Sequence, residues 1–349
     1  MVRLNEAGLL SRLGRVSSVS GGSITAAVLA LNWSLLKADS NGVFQNLNLV
    51  IAAVRGCASI TIDAGAAIEG LLLPGTVNDR VVEAYDKHIF HGKTLQDLPD
   101  PSAGAPCFVI NATNVQTSSL WRFERAYMGD WQVGLVDKPT VSMAAAVAAS
   151  SAFPPVLSPA VLENTQPMRA VKGAALGRPP FTTDIVLCDG GVYDNLGLEN
   201  PWKSSKTILV SDAGAKIAPE ENPAHDWIRH AYRINDIIDN QVRGLRKKYL
   251  IESYQSGSRD GAYWGIRTDW QNYKLPADPL GCKNRNPNYL ASIPTRLKSL
   301  EDDVQKKLIN WGYAVCDAAL RAHFVESLKK RYSVLIQEPR AFPYPEAGY

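Results

Sequence analysis

Short apolar runs punctuate this chain. Residues 16–19, 107–110, 185–188 and 208–210 are continuous, rich in β-branched side chains, and bounded by polar or Gly/Pro positions. Such runs suit strands buried on both faces, as in a parallel sheet. Helical patterns lie between them. Residues 23–36 are apolar nearly all round, through Ile24, Val28, Leu29, Leu31, Leu35 and Leu36, which predicts a buried helix. Residues 141–150 are Ala-rich and helix-compatible, and Leu4, Leu9, Leu10 and Leu13 place the last turns of a helix over 5–13. Strands alternating with helices predict an α/β sandwich.

The pattern changes after Asp212. Over 227–254, Ile234, Ile237, Ile238, Val242, Leu245 and Tyr249 recur at spacings of three and four, a helical period. A second stripe follows Pro294, through Leu297, Leu300, Val304, Leu308, Trp311 and Val315, with Thr295 as its expected N-cap. Residues 260–294 read as a long loop region, and 338–349, with three prolines, as an extended or frayed tail. The expected organisation is an α/β core over 1–215 and a mainly helical extension over 216–349 packed on it.

Composition narrows the class. The 349 residues are 46% hydrophobic and 20% charged, ordinary globular usage that excludes a disordered chain. The net charge of +3 has no strongly basic block, which argues against a dedicated nucleic-acid binder. The five cysteines are scattered with no Cys-x-x-Cys pair, the pattern of reduced thiols rather than of a disulfide framework or a structural zinc site. No run reaches the ~18 apolar residues of a spanning helix, and the first residues do not read as a secretory signal. The expectation is a cytoplasmic protein, peripheral to membrane at most.

Two stretches carry chemistry. In Ser18-Val19-Ser20-Gly21-Gly22 an apolar strand runs through small residues directly into a helix. This is the layout of a nucleophile elbow, with serine in place of the first glycine of G-x-S-x-G. The turn exposes the Ser20 hydroxyl, and the helix N-terminus aims unpaired N–H groups at the site, Gly21 among them. The plain alternative is a strand–helix turn. In the second stretch a buried strand ends in Asp189-Gly190-Gly191. A carboxylate at a strand's carboxyl end lies where ligands bind and is placed to act as a general base. The plain alternative is an Asp-Gly turn.

Together and in this order the two stretches resemble the patatin-like phospholipase family. The resemblance covers roughly residues 1 to 215. It rests on the Ser20 elbow, on Asp189-Gly190-Gly191-Val192-Tyr193-Asp194-Asn195-Leu196, on the block from Ala148 to Pro155, and on Asn111-Ala112-Thr113. It implies a three-layer sandwich with a mostly parallel central sheet. It also implies hydrolysis of lipid acyl esters by a Ser–Asp dyad: Ser20 as nucleophile, Asp189 as base, Gly21 and Gly22 at the elbow, and Gly190, Gly191 and Asn195 in support. No cofactor or metal is implied. The expected partners are a lipid or acyl-ester substrate and, transiently, a membrane surface; oligomeric state is left open. The family's glycine-rich oxyanion loop precedes the elbow, and the 19 residues before Ser20 hold only Gly8 and Gly14. The catalytic core is therefore expected to be N-terminally incomplete.

Three rival readings follow. Losing one oxyanion donor costs on the order of 10²–10³ in rate, so a catalytically impaired, truncated chain serving as a non-enzymatic interaction protein is the first. A Ser-His-Asp hydrolase, in the order Ser20, Asp212, His225 or His230, is the second, although 19 residues cannot supply the strands that fold places before its nucleophile. The third concerns surfaces. The cluster Arg243, Arg246, Lys247 and Lys248 reads as a solvated face, or as a contact for anionic headgroups. Residues 51–74 read as core, or as an apolar cap over the site through Ile60, Ile62, Ile68, Leu71, Leu72 and Leu73.

Overall fold

Strand β1 (Arg15–Val19) runs straight into helix α1 (Gly21–Asn32), as the apolar run followed by small residues predicts. The computed structural model describes residues 1–62, 76–214, 217–294 and 297–349. The predicted apolar cap falls largely on 63–75, and the predicted N-cap Thr295 on 295–296; both lie outside the described residues. The chain divides into two compact units. One comprises Gly8–Pro201 with Leu297–Leu300; the other comprises Met1–Ala7, Trp202–Arg296 and Glu301–Tyr349.

In the first unit, helices α2 (Asn48–Ala58) and α3 (Val77–Tyr85) follow α1. Then come β2 (Cys107–Asn114), β3 (Ser119–Phe123), β4 (Tyr127–Asp130) and β5 (Gly134–Asp137). Helix α4 (Met143–Ser150), β6 (Ala160–Glu163), β7 (Asp184–Asp189) and the short turn of helix α5 (Gly191–Asp194) complete it. The sheet order is β5-β4-β3-β2-β7-β6, and β1 also pairs with β2.

The expected mostly parallel sheet is corrected here: the fold is mixed α/β. Only β1–β2 runs parallel in this sheet; β2–β3, β2–β7, β3–β4, β4–β5 and β6–β7 are antiparallel. The reason lies in the connections. A parallel pair needs a crossover of a dozen or more residues, whereas β2, β3, β4 and β5 are joined by tight turns. After β2, the Asn114 side chain accepts from the Gln116 and Thr117 amides, and Ser118 takes a left-handed φ of 54°. After β4, Asp130 does the same for the Gln132 and Val133 amides. Apolar runs buried on both faces do not distinguish the two sheet types.

Helix α4 explains its own composition. Ser142 caps it by accepting the Ala145 amide, and Met143, Ala144, Ala146, Val147 and Ala148 are completely buried. Small side chains let this helix lie close against β2 and β7.

The second unit holds a separate parallel pair, β8 (Thr207–Asp212) and β9 (Asp260–Gly265), with helices α6 (Trp227–Gln255) and α7 (Asp302–His323). The run 208–210 is thus a strand, but of this sheet. Part of the expected loop region 260–294 is β9. Helix α7 buries Trp311 and Val315 from its predicted stripe. The C-terminal tail is held in place: Asn310 donates to the Tyr344 and Gly348 carbonyls, and Tyr349 stacks on Trp311 at 4.6 Å. All five cysteines are free thiols. Among the described residues, no helix is long and apolar enough to cross a membrane.

Candidate active site

Two strands meet on one edge of β2. Strand β1, parallel to β2, ends with Val19 opposite Asn111. Strand β7, antiparallel to β2, ends with Asp189 opposite the next residue, Ala112. Their carboxyl ends therefore converge on neighbouring positions of a single strand, and each is followed at once by a turn and a helix. Ser20 and Asp189 leave the sheet side by side although they are far apart in sequence.

Ser150, at the end of α4, locks this junction. Its carbonyl accepts from the Ser20 amide at 3.2 Å and from the Gly190 amide at 3.1 Å. Its hydroxyl accepts from the Ser20 amide at 3.1 Å and donates to the Asn111 carbonyl at 2.7 Å. Asp189 is fixed on both sides: its amide donates to the Ala152 carbonyl at 2.9 Å, and its Oδ1 accepts from the Gly191 amide at 2.7 Å. Replacing Ser150 with alanine keeps the carbonyl and removes the hydroxyl from a buried junction. The expected loss is about 1–3 kcal/mol of stability, measured by urea unfolding; an unchanged midpoint and slope would count against this role.

Ser20 sits at φ 53° and ψ −134°, a conformation that side-chain-bearing residues rarely adopt. Such a residue costs about 1–3 kcal/mol and persists where its surroundings hold it. Here the holding bonds are the two to Ser150 and the one from the Ser23 amide to the Ser20 carbonyl, at 2.8 Å. Ser20 occupies the N-cap position, but its hydroxyl makes no capping bond. Gly21 and Gly22 are exposed, and a Cβ on either would meet nothing within 4 Å. The first-turn N–H groups at Gly21 and Gly22 are ones a helix leaves without internal partners.

Ser18, where the elbow consensus has glycine, is used in this position. Its hydroxyl donates to the Val109 carbonyl at 3.1 Å, and Ser23 Oγ lies 3.1 Å from it and 2.9 Å from Ser150 Oγ. A chain of hydroxyls ties the elbow to β2 and α4. Gly190 is required by space: a Cβ there would lie 2.3 Å from the Asn111 carbonyl oxygen. At Gly191 a Cβ would come within 3.0 Å of Asp189 Oδ1 and 3.3 Å of Asn195 Nδ2, which places the Asn195 amide over this turn.

Asp189 is 2% exposed. Its neighbours register a low-dielectric setting. Burial pushes the Cys188 thiol up to about 11, and the Asp189 charge adds to that. Burial likewise raises the Tyr85 phenol, with a smaller contribution from Asp189, against a bond to Ser151 that lowers it.

The other residues of the rival triad, Asp212, His225 and His230, belong to the second unit. There the Asp212 carboxylate accepts from the Tyr263 hydroxyl at 2.6 Å and the Gly214 amide at 2.8 Å, with Arg243 at 3.7 Å. His225 and His230 are exposed or partly exposed polar positions beside and within the start of α6. Sequence reasoning missed Ser150 and Ser23 as site residues. The available signal was a serine pair closing an otherwise alanine-rich helix.

A family model described as patatin-like phospholipase matches residues 3–202. The match covers more than half of the chain and closes where the first compact unit closes, at Pro201 and Trp202. The chain belongs to the patatin-like phospholipase family. This is a family of serine lipid acyl hydrolases, which act on lipid ester substrates. A search of curated proteins found no match.

Proposed function

We propose that this chain hydrolyses lipid acyl esters through Ser20 and Asp189. Asp189 takes the hydroxyl proton of Ser20 as its Oγ bonds to the ester carbonyl carbon. The carbonyl electrons move to oxygen, and the first-turn N–H groups at Gly21 and Gly22 face that developing charge, supported by the partial positive end of α1. The carbonyl reforms, the alkoxide leaves with the proton from Asp189, and Ser20 carries the acyl group. Water then attacks, giving its proton to Asp189, and release of the fatty acid returns that proton to Ser20. The supporting observation is the junction on β2, where one carbonyl, that of Ser150, receives the backbone amides of both Ser20 and Gly190.

A fluorophosphonate probe tests this reading directly, because it bonds only to an activated serine. The expected adduct lies on the peptide containing Ser20, located by mass spectrometry. Absence of any adduct, or an adduct on a different serine, would overturn the assignment.

A further inference from the structure

Helix α6 is turned the wrong way round for a helix of a water-bounded unit. Such helices ordinarily pack their apolar stripe inward and offer charge to solvent. Here Trp227, Ile234, Ile238, Val242, Leu245 and Tyr249 are exposed, Trp227 at 80%, Leu245 at 59% and Tyr249 at 60%. The opposite face makes the attachments. Arg233 donates to the Ala218 carbonyl at 2.9 Å, and Arg243 approaches Asp212 at 3.7 Å. Lys247 lies over the Tyr263 ring at 4.4 Å, and Tyr254 donates to the Ile208 carbonyl at 2.6 Å. Only Leu250 and Ser253 are buried. Polar groups make these attachments; at the C-terminal end of the stripe the Tyr249 ring also packs on Trp202, centroids 4.7 Å apart, and the other large apolar side chains of the stripe are exposed.

We infer that this face adsorbs to the surface of an anionic phospholipid bilayer. Three observations select that occupant. First, charge: the helix carries six Lys and Arg against three Asp and Glu. His230 and Lys248 are exposed along one border of the stripe, Lys248 with Glu252 at 3.8 Å, and Arg246 stands along the other border. Basic residues bordering an apolar face are each worth about 1 kcal/mol near an anionic leaflet. Second, the aromatic residues: Trp227 and Tyr249 stand near the two ends of the stripe, and such rings favour the headgroup level. Third, the period: positions 227, 231, 234, 238, 242, 245 and 249 advance by about 3.7 residues per turn, whereas a two-stranded left-handed coiled coil needs 3.5. The stripe therefore stays straight along the helix, over about 33 Å, and matches a flat surface better than a second copy of itself. The choice of a lipid surface rests on the lipid substrates of the family. Adsorption is read without turnover, so its failure is distinguishable from failure of the Ser20–Asp189 reading.

The experiment is co-sedimentation of the full chain with vesicles of equimolar phosphatidylcholine and phosphatidylglycerol, and with phosphatidylcholine alone. The expected result is binding to the anionic vesicles that weakens with added salt. The double variant I238D/L245D should bind at least about tenfold more weakly, with turnover of a water-soluble short-chain ester unchanged. Circular dichroism and that retained turnover report that the variant is folded; the single charge-reversal variant Lys248→Glu provides a milder second test, expected to weaken binding in the same direction. Equal partitioning of the wild type and both variants would overturn the inference. So would a dimer by light scattering that I238D/L245D converts to monomer, which would assign the face to self-association.

Discussion

Ser20→Ala is expected to lower turnover of a chromogenic short-chain ester by on the order of 10⁴-fold or more, the scale seen when a hydrolase loses its nucleophile. The variant should remain as stable as the parent. The Ser20 hydroxyl makes no capping bond, and the bonds that hold the elbow run through the backbone of residue 20, which alanine retains. Asp189→Asn is expected to cause a loss of similar order. Asparagine keeps an oxygen to accept the Gly191 amide, now at 2.7 Å from Oδ1, but takes no proton at neutral pH. Ser20→Gly supplies an internal control: it removes the same nucleophile while relieving a φ of 53°, so activity falls as stability holds or rises by about 1 kcal/mol. Steady-state kinetics paired with urea unfolding separate these effects. Undiminished turnover in both Ser20→Ala and Asp189→Asn would remove the dyad from the mechanism.

Gly190→Ala should be the most damaging conservative change in the core. Its added carbon would sit 2.3 Å from the Asn111 carbonyl oxygen, 2.9 Å from the carbonyl carbon, and 3.2 Å from Val19 Cγ1. Two of these atoms are backbone, so relief requires β2 or β7 to move rather than a side chain to rotate. Overpacking of this kind costs about 1–3 kcal/mol or more. The movement would also separate the ends of β1 and β7, so hydrolysis should fall further than stability alone explains. Gly22→Ala, which meets nothing within 4 Å, is the matched control and should be neutral or slightly stabilising. Equal unfolding midpoints for the two variants would contradict this account.

The elements around the site were legible because each carries a local signature. The β-branched run before Ser20, the small residues after it, and the run ending at Asp189 fix β1, α1 and β7 without tertiary information. Strands β3 to β5 were not legible: they are short and interrupted by Arg122, Gly129 and Asp130, and their existence depends on turns closed by Asn114 and Asp130 side chains. Strand direction was hidden for the same reason, since direction belongs to the connection and not to the strand. Ser150 was named only as part of an alanine-rich block, because its role depends on what a distant strand and elbow bring to it. Helix α6 shows the opposite failure. Its period identified the helix, but the cluster Arg243, Arg246, Lys247 and Lys248 does not act as one solvated face: Arg243 and Lys247 point to Asp212 and Tyr263.

The shared edge of β2 also has a bearing on the order in which the molecule becomes competent. Residues 20, 111, 150 and 189 must all be in place before the junction exists, and they span about 170 positions of chain, so the site is built from contacts of long sequence separation, the slowest kind to close. No hairpin or single helix–strand unit contains a partial version of it. A chain still threading from the ribosome before residue 189 can hold a finished elbow on α1 and yet have no carboxylate beside it. On the proposed Ser20–Asp189 chemistry, hydrolytic competence is then acquired only with the last strands of the unit.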